Sequence, residues 1–167
     1  RVSPLQSVRY LRFNTARPPF DDPRVRRALS LLVDRDVLVT RIMTGGERAA
    51  LRALPAGLPD DLLPPDNPLA AGTPASRVAE ARRLLAEAGY RARRPAPVLL
   101  RVPAGNGDDL CLAVAAMWTA AGAPARIEQS EIKSMIADLR RGDFDVALTG
   151  AQDTPTVEAY LERFRRN

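Results

Sequence analysis

Carboxylates and carboxamides are the groups left to do chemistry in this sequence, because histidine is absent and Cys111 is the single cysteine. Without histidine there is no imidazole to serve as general base, to bind zinc or nickel, or to complete a Ser/His/Asp or Cys/His constellation. One cysteine closes no intrachain disulfide and builds no cysteine metal site. Cys111 falls on an apolar helical stretch, where it reads as a small core residue. The paired carboxylates Asp21/Asp22, Asp60/Asp61, Asp108/Asp109 and Asp143/Asp145 are the remaining acid–base candidates. Adjacent residues diverge on a helix or strand, and each pair has a capping or turn explanation, so none is a natural acid and base couple. No enzyme activity, no metal site and no cofactor are therefore expected.

Two further stretches have the composition of ligand-contacting loops: Pro103, Ala104, Gly105, Asn106 and Gly107, and Thr149, Gly150, Ala151, Gln152, Asp153 and Thr154. Gly105-Asn106-Gly107 has the look of a dinucleotide-loop fragment, but a lone GxG is weak evidence. Asp108 and Asp109 would also set negative charge where a phosphate must approach the helix amino terminus. Turn and cap chemistry explains that loop better.

The elements that must position these stretches can be read from periodicity. Tyr10 to Phe13 is a short extended run of large side chains, ended by the turn-former Asn14. Pro18 and Pro19 keep the residues before them out of the helical region, so the chain is expected to stay extended until Asp22. Asp22 is the predicted N-cap and Pro23 the first helical residue, after which Val25, Ala28, Leu29 and Leu32 recur on one face. Asp34 and Asp36 bracket a break before a second short helix through Val37, Leu38, Arg41 and Ile42, which stops at Gly45-Gly46. Residues 52–75 carry Pro55, Pro59, Pro64, Pro65, Pro68 and Pro74, which predicts an irregular surface excursion.

Helix resumes behind Thr73 or Ser76, with Val78, Ala81, Leu84, Leu85 and Ala88 as its buried stripe and Gly89 as its stop. Then strand and helix alternate: strand 98–102, helix 109–121, strand 125–129, helix 132–141, strand 144–149. Two successive strand–helix–strand units predict a parallel sheet with right-handed crossovers. A last amphipathic helix is expected over 156–166, with Val157, Tyr160, Leu161 and Phe164 on one side. In an open parallel sheet, ligands gather beyond the carboxyl ends of the strands, which is where both candidate loops fall.

At 167 residues and 46% hydrophobic content the chain suits one ordinary core, so one domain is expected. The net charge of +5 comes from 25 basic residues, nearly all arginine, set against 20 acidic ones and spread along the chain. Arg91, Arg93 and Arg94 are the densest cluster, yet Pro95 and Pro97 follow and no aromatic interleaves them, so no nucleic-acid surface is expected here. No apolar run approaches the ~18 residues that span a membrane, and the first residues do not read as a signal peptide. The chain opens directly into a strand, which suggests a piece of a longer protein.

Three segments together resemble the family 5 extracytoplasmic solute-binding proteins of ABC importers, the oligopeptide, dipeptide and nickel binding group. They are FNTARPPFDDPRVRRALSLLVDRD at Phe13 to Asp36, RLLAEAGY at Arg83 to Tyr90, and GDFDVALTGAQDTP at Gly142 to Pro155. Met117-Trp118 and Gly122 also lie where that family has a helix before a strand. The resemblance spans nearly the whole chain but only the second lobe of such a protein. It implies an α/β fold, a type II periplasmic-binding-protein-like lobe with a mostly parallel sheet flanked by helices and one antiparallel strand. The implied strand order is Ala125, Val98, Phe144, Tyr10.

The same resemblance implies a substrate-binding component of an ABC transporter. It would take a peptide or similar small solute in a cleft between this lobe and a missing N-terminal lobe, and would work with ABC permease subunits. The implied location is extracytoplasmic, with a signal or lipoprotein anchor outside these residues. The implied ligand-binding residue is Asp153, matching an aspartate that can hold a peptide's amino terminus, and the strand-end topology adds Gln152, Gly150, Thr149, Asn106 and Gly105 as candidates. Many relatives carry a tryptophan in this segment, whereas this sequence has Gly150, which leaves room for a different or larger solute. The alternative is the ligand-sensing domain of a transcriptional regulator that carries a family 5 solute-binding domain.

Overall fold

The computed structural model describes residues 7–43, 45–51, 72–91, 93–105 and 108–152, with Asp108, Ala151 and Gln152 described in their backbone only. Strand β1 covers Ser7–Phe13, and Asn14 ends it by turning the chain. Asn14 is buried, and its Nδ2 donates at 2.9 Å to the carbonyls of both Gly142 and Phe144 while its Oδ1 accepts from Ala16 N–H at 3.2 Å. A residue chosen by local turn preference thereby also closes a long-range junction.

The stretch 15–21 is a set of tight turns rather than the extended passage expected. Arg17 N–H donates to the Asn14 carbonyl, and the Arg17 carbonyl accepts from Phe20 and Asp21. The prolines close the helical region to the residues before them but leave turn geometries open. The turns deliver Phe20 to the core with no exposure at all.

Helix α1 (Pro23–Leu31) starts as its sequence dictates, with the Asp22 carboxylate accepting Arg24 N–H at 2.8 Å and Pro23 at the first position. Val25, Ala28, Leu29 and Leu31 are buried along it. Asp34 caps the single turn α2 (Arg35–Val37), accepting Val37 N–H at 3.2 Å. The chain then widens into a π-helical turn, Leu38–Ile42, closed by Met43 N–H donating to the Leu38 carbonyl at 2.8 Å. The Pro-rich excursion expected over 52–75 lies largely outside the described residues. Its end is earlier than expected, because helix α3 (Pro74–Glu87) begins at Pro74 behind the Thr73 hydroxyl, which accepts Ser76 N–H at 3.2 Å. Gly89 stops α3 at φ +88°, and Tyr90 folds back to donate its N–H to Leu85.

Strand β2 (Val98–Pro103), helix α4 (Asp108–Ala120), strand β3 (Ala125–Ser130), helix α5 (Ile132–Arg141) and strand β4 (Val146–Gln152) follow in order. The sheet runs β1-β4-β2-β3, with β2 parallel to both β3 and β4, and β1 antiparallel to β4. The strand order therefore agrees with the one implied by the family resemblance.

Right-handed crossovers in opposite directions, β2 to β3 and then back across β2 to β4, require α4 and α5 on opposite faces. The burial agrees. On one face Leu100, Val102, Val146 and Leu148 pack with α1, α3 and α4 around Trp118, which is fully buried and donates Nε1–H to the Leu29 carbonyl at 2.9 Å. On the other face Met135 of α5 meets Phe144 and Ala147. The final helix expected over 156–166 lies outside the described residues.

Candidate functional site

Two strand ends define the rim. Strand β4 touches β2 only at Leu100↔Val146 and Arg101↔Ala147. Beyond those pairs β2 continues with β3 through Pro103↔Ser130, and Ala104 N–H donates to the Ser130 carbonyl at 2.9 Å. Strand β4 continues with β1 instead, from Leu11↔Leu148 out to Ser7↔Gln152. The sheet therefore forks at its carboxyl edge. Extending the parallel register past the fork sets Ala104 level with Gly150.

Gly150 to Gln152, expected as a loop after a strand ending at Thr149, are part of the strand itself. Their composition of glycine, alanine and glutamine carries no strand signal. Antiparallel pairing decides the matter, because β1 reaches back to Ser7 and offers each of these residues a ladder partner. The strand also starts later than expected, at Val146, since the junction at Phe144 and Asp145 is taken up by Asn14.

Both arms of the fork border an open concavity of about 360 Å³, lined by Arg9 from β1, Gly105 after β2, Asp109 and Leu110 opening α4, and Ile42, Met43 and Glu47. The segment after the π-helical turn is held in place from behind. Glu47 accepts Gly45 N–H at 2.9 Å, and Arg35 donates to the carbonyls of Ala50, Ser30 and Val33 at 3.0–3.1 Å. Burial pushes the Arg35 guanidinium below its ordinary value, and the neighbouring charge of Arg77 adds to that. Among the described residues, carbonyl oxygens and the Ser30 hydroxyl, not a carboxylate, thus satisfy it.

Residues 1–167 match the family model described as bacterial extracellular solute-binding proteins, family 5 Middle. The chain belongs to that family. Among curated family 5 relatives, the periplasmic oligopeptide-binding protein OppA of Salmonella typhimurium is 33% identical over 153 residues, covering 90% of this chain and 28% of OppA. The periplasmic murein peptide-binding protein MppA of Escherichia coli is 32% identical over 139 residues, covering 82% of this chain and 26% of MppA. Among solved structures, Haemophilus influenzae OppA in complex with RPPGFSPFR superposes with a TM-score of 0.89 at 26% identity, over 98% of this chain and 33% of that one. The fold is thus that of a periplasmic-binding-protein lobe, and the chain spans between a quarter and a third of the length of these family 5 proteins.

The fork brings together only part of the candidate residue set. Gly105 lines the concavity. Gly150 lies directly across the β1–β4 ladder from Arg9. Thr149 lies on the face of Ala147 and α5, with its hydroxyl 3.4 Å from the Tyr10 carbonyl, so its side chain is turned away from the concavity. Gln152 pairs with Ser7 through the ladder, while Asn106 and Asp153 lie outside the described residues. Sequence reasoning misses Arg9 and Glu47 altogether, and weighs Asp109 only as half of a carboxylate pair and as a negative charge at a helix amino terminus. Strand alternation counted from Leu11 and Phe13 would have put Arg9 on the rim face.

Proposed function

We propose that the protein is the substrate-binding component of an ABC importer and that this chain is the lobe forming one side of its cleft. The solute is a peptide or a similar small molecule, held between this lobe and an N-terminal lobe and then passed to permease subunits. The observation that carries this reading is the forked rim, whose concavity is open and needs an opposing wall to bury most of a ligand's surface. The relatives OppA and MppA, named for oligopeptides and murein peptides, support a peptide class and an extracytoplasmic location. Both are binding proteins rather than enzymes or transcriptional regulators, which leaves the regulator reading without support. In this reading Gly105, Asn106, Gly150 and Gln152 belong to the cleft wall, while the Thr149 side chain, on the α5 face, does not. Asp153, directly after the last residue of β4, holds the ligand's ammonium group through a charge-assisted hydrogen bond.

The test is calorimetry on the full-length protein with a peptide and its N-acetylated counterpart. Asp153→Asn is expected to weaken the free-amine peptide roughly 10- to 100-fold, the worth of one charged hydrogen bond, and to leave the acetylated one nearly unchanged. A full-length protein that bound no member of a mixed peptide library would remove the peptide reading. An unaltered free-amine affinity in the variant would remove the role of Asp153.

A further inference from the structure

Alternation along β1 places Arg9 on the same face as Leu11 and Phe13, whose side chains pack on the main core. The intervening residues face the other way, where the Arg12 guanidinium carbon sits 5.8 Å from the centre of the Phe144 ring. Several arginines of the described structure are committed: Arg17 to Asp143, Arg24 to Asp22, Arg83 to Glu80, Arg101 to Glu128 and Asp138, Arg35 to carbonyls. Arg9 is exposed and lines the rim concavity together with two carboxylates, yet among the described residues it is ion-paired with neither Glu47 nor Asp109. Glu47 is turned back on its own chain toward Gly45.

The neighbour across the ladder leaves that guanidinium uncovered. Gly150 opposes Arg9, and a Cβ built there would meet only the Val8 carbonyl, at an ordinary 3.6 Å. Ile42, Met43 and Leu110 supply an apolar wall beside the charge. A guanidinium with no ion pair among the described residues, next to an apolar wall and inside a rim that also carries acidic groups, suits one carboxylate attached to an apolar group and disfavours a second negative charge.

We propose that Arg9 is a specificity-determining residue that receives a carboxylate of the bound solute, with the apolar group next to that carboxylate seated against Ile42, Met43 and Leu110. This inference rests on the solute-binding reading above and names the chemistry of one end of the ligand. The carboxylate comes either from a peptide's carboxyl terminus or from an acidic side chain, and the test separates the two.

The experiment is calorimetry on the full-length protein and its Arg9→Gln and Arg9→Lys variants. Three probes are used: a short peptide ending in leucine with a free carboxyl terminus, the same peptide as its C-terminal amide, and an amide with glutamate in place of the leucine. Arg9 is exposed, so both variants are expected to fold, which a thermal melt verifies. Wild type is expected to prefer the free acid over the leucine amide by about 10- to 100-fold, and Arg9→Gln to abolish that preference without changing amide affinity. Arg9→Lys should restore part of it, since a point charge keeps the attraction but not the fork. If the glutamate amide, rather than the leucine acid, is the ligand that responds to Arg9, the side chain is the carboxylate source. Equal weakening of all three probes by Arg9→Gln, or no weakening of any, overturns the inference while leaving the solute-binding reading intact. Absence of binding by every probe and by a mixed peptide library overturns both.

Discussion

Asp22 shows how much one side chain settles at the scale of a residue. Its carboxylate caps α1 and also takes Arg24 Nη2 at 2.6 Å, so the hydrogen bond to Arg24 holds it below the usual carboxylate range, helped by the backbone N–H of the same residue. A carboxyl group whose folded pKa is depressed contributes stability that is fully present above its unfolded value of about 3.9. That stability is lost as pH falls through the lower folded value. NMR titration of the Asp22 carboxyl carbon should therefore give a midpoint below the free-aspartate value. Asp22→Ala should cost about 1 kcal/mol in urea denaturation at neutral pH, and that difference should shrink on acidification below the midpoint. A midpoint at or above the free value would contradict the cap geometry.

The two faces of the sheet are held by different physics at the scale of elements. The face under α1, α3 and α4 is apolar and close-packed, with Phe13 5.9 Å from Phe20 and 6.5 Å from Trp118 between ring centres. Helix α5 has a thinner apolar contact through Met135 and Leu139, and Ile132 and Ile136 on its outer side remain exposed. Its attachment depends on Arg101, which is 12% exposed in its side chain and donates at 2.7 Å to both Asp138 of α5 and the Asp143 carbonyl, and at 3.0 Å to Glu128. Arg101→Met keeps the apolar stem but strands the Asp138 carboxylate, which among the described residues retains only Arg141. We expect a loss of roughly 2–4 kcal/mol in urea denaturation, with amide exchange in α5 accelerated more than in α4. Uniform acceleration in both helices would show that the ion pair is not what fastens α5.

At the scale of the whole molecule, the governing fact is that the chain matches about 28% of OppA's length and presents an open rim. A micromolar complex is worth roughly 8 kcal/mol, and if half of that comes from an opposing lobe this one retains ~4, equivalent to millimolar affinity. Calorimetry on the isolated chain with a peptide mixture should accordingly show no binding at micromolar concentration, while the full-length protein binds. Micromolar binding by the isolated chain would contradict the two-walled cleft.

Taken alone, the sequence determined what depends on short-range stereochemistry. Asp22-Pro23, Asp34, Thr73-Pro74 and Gly89 start and stop helices through their own side chains and φ preferences, and the alternation of strand and helix from Val98 onward required a parallel sheet. The strand order came from the family resemblance, not from any single periodicity. Only the tertiary structure decided the rim. Gly150–Gln152 become strand because β1 lies alongside them, the sheet forks because β4 has β1 to follow once it leaves β2, and Arg9 joins Gly105 and Asp109 around one concavity. The physical reason is range. A cap or a turn is satisfied by groups a few residues away, whereas the β1–β4 ladder sets Ser7 opposite Gln152 and acts only after the chain has folded back on itself.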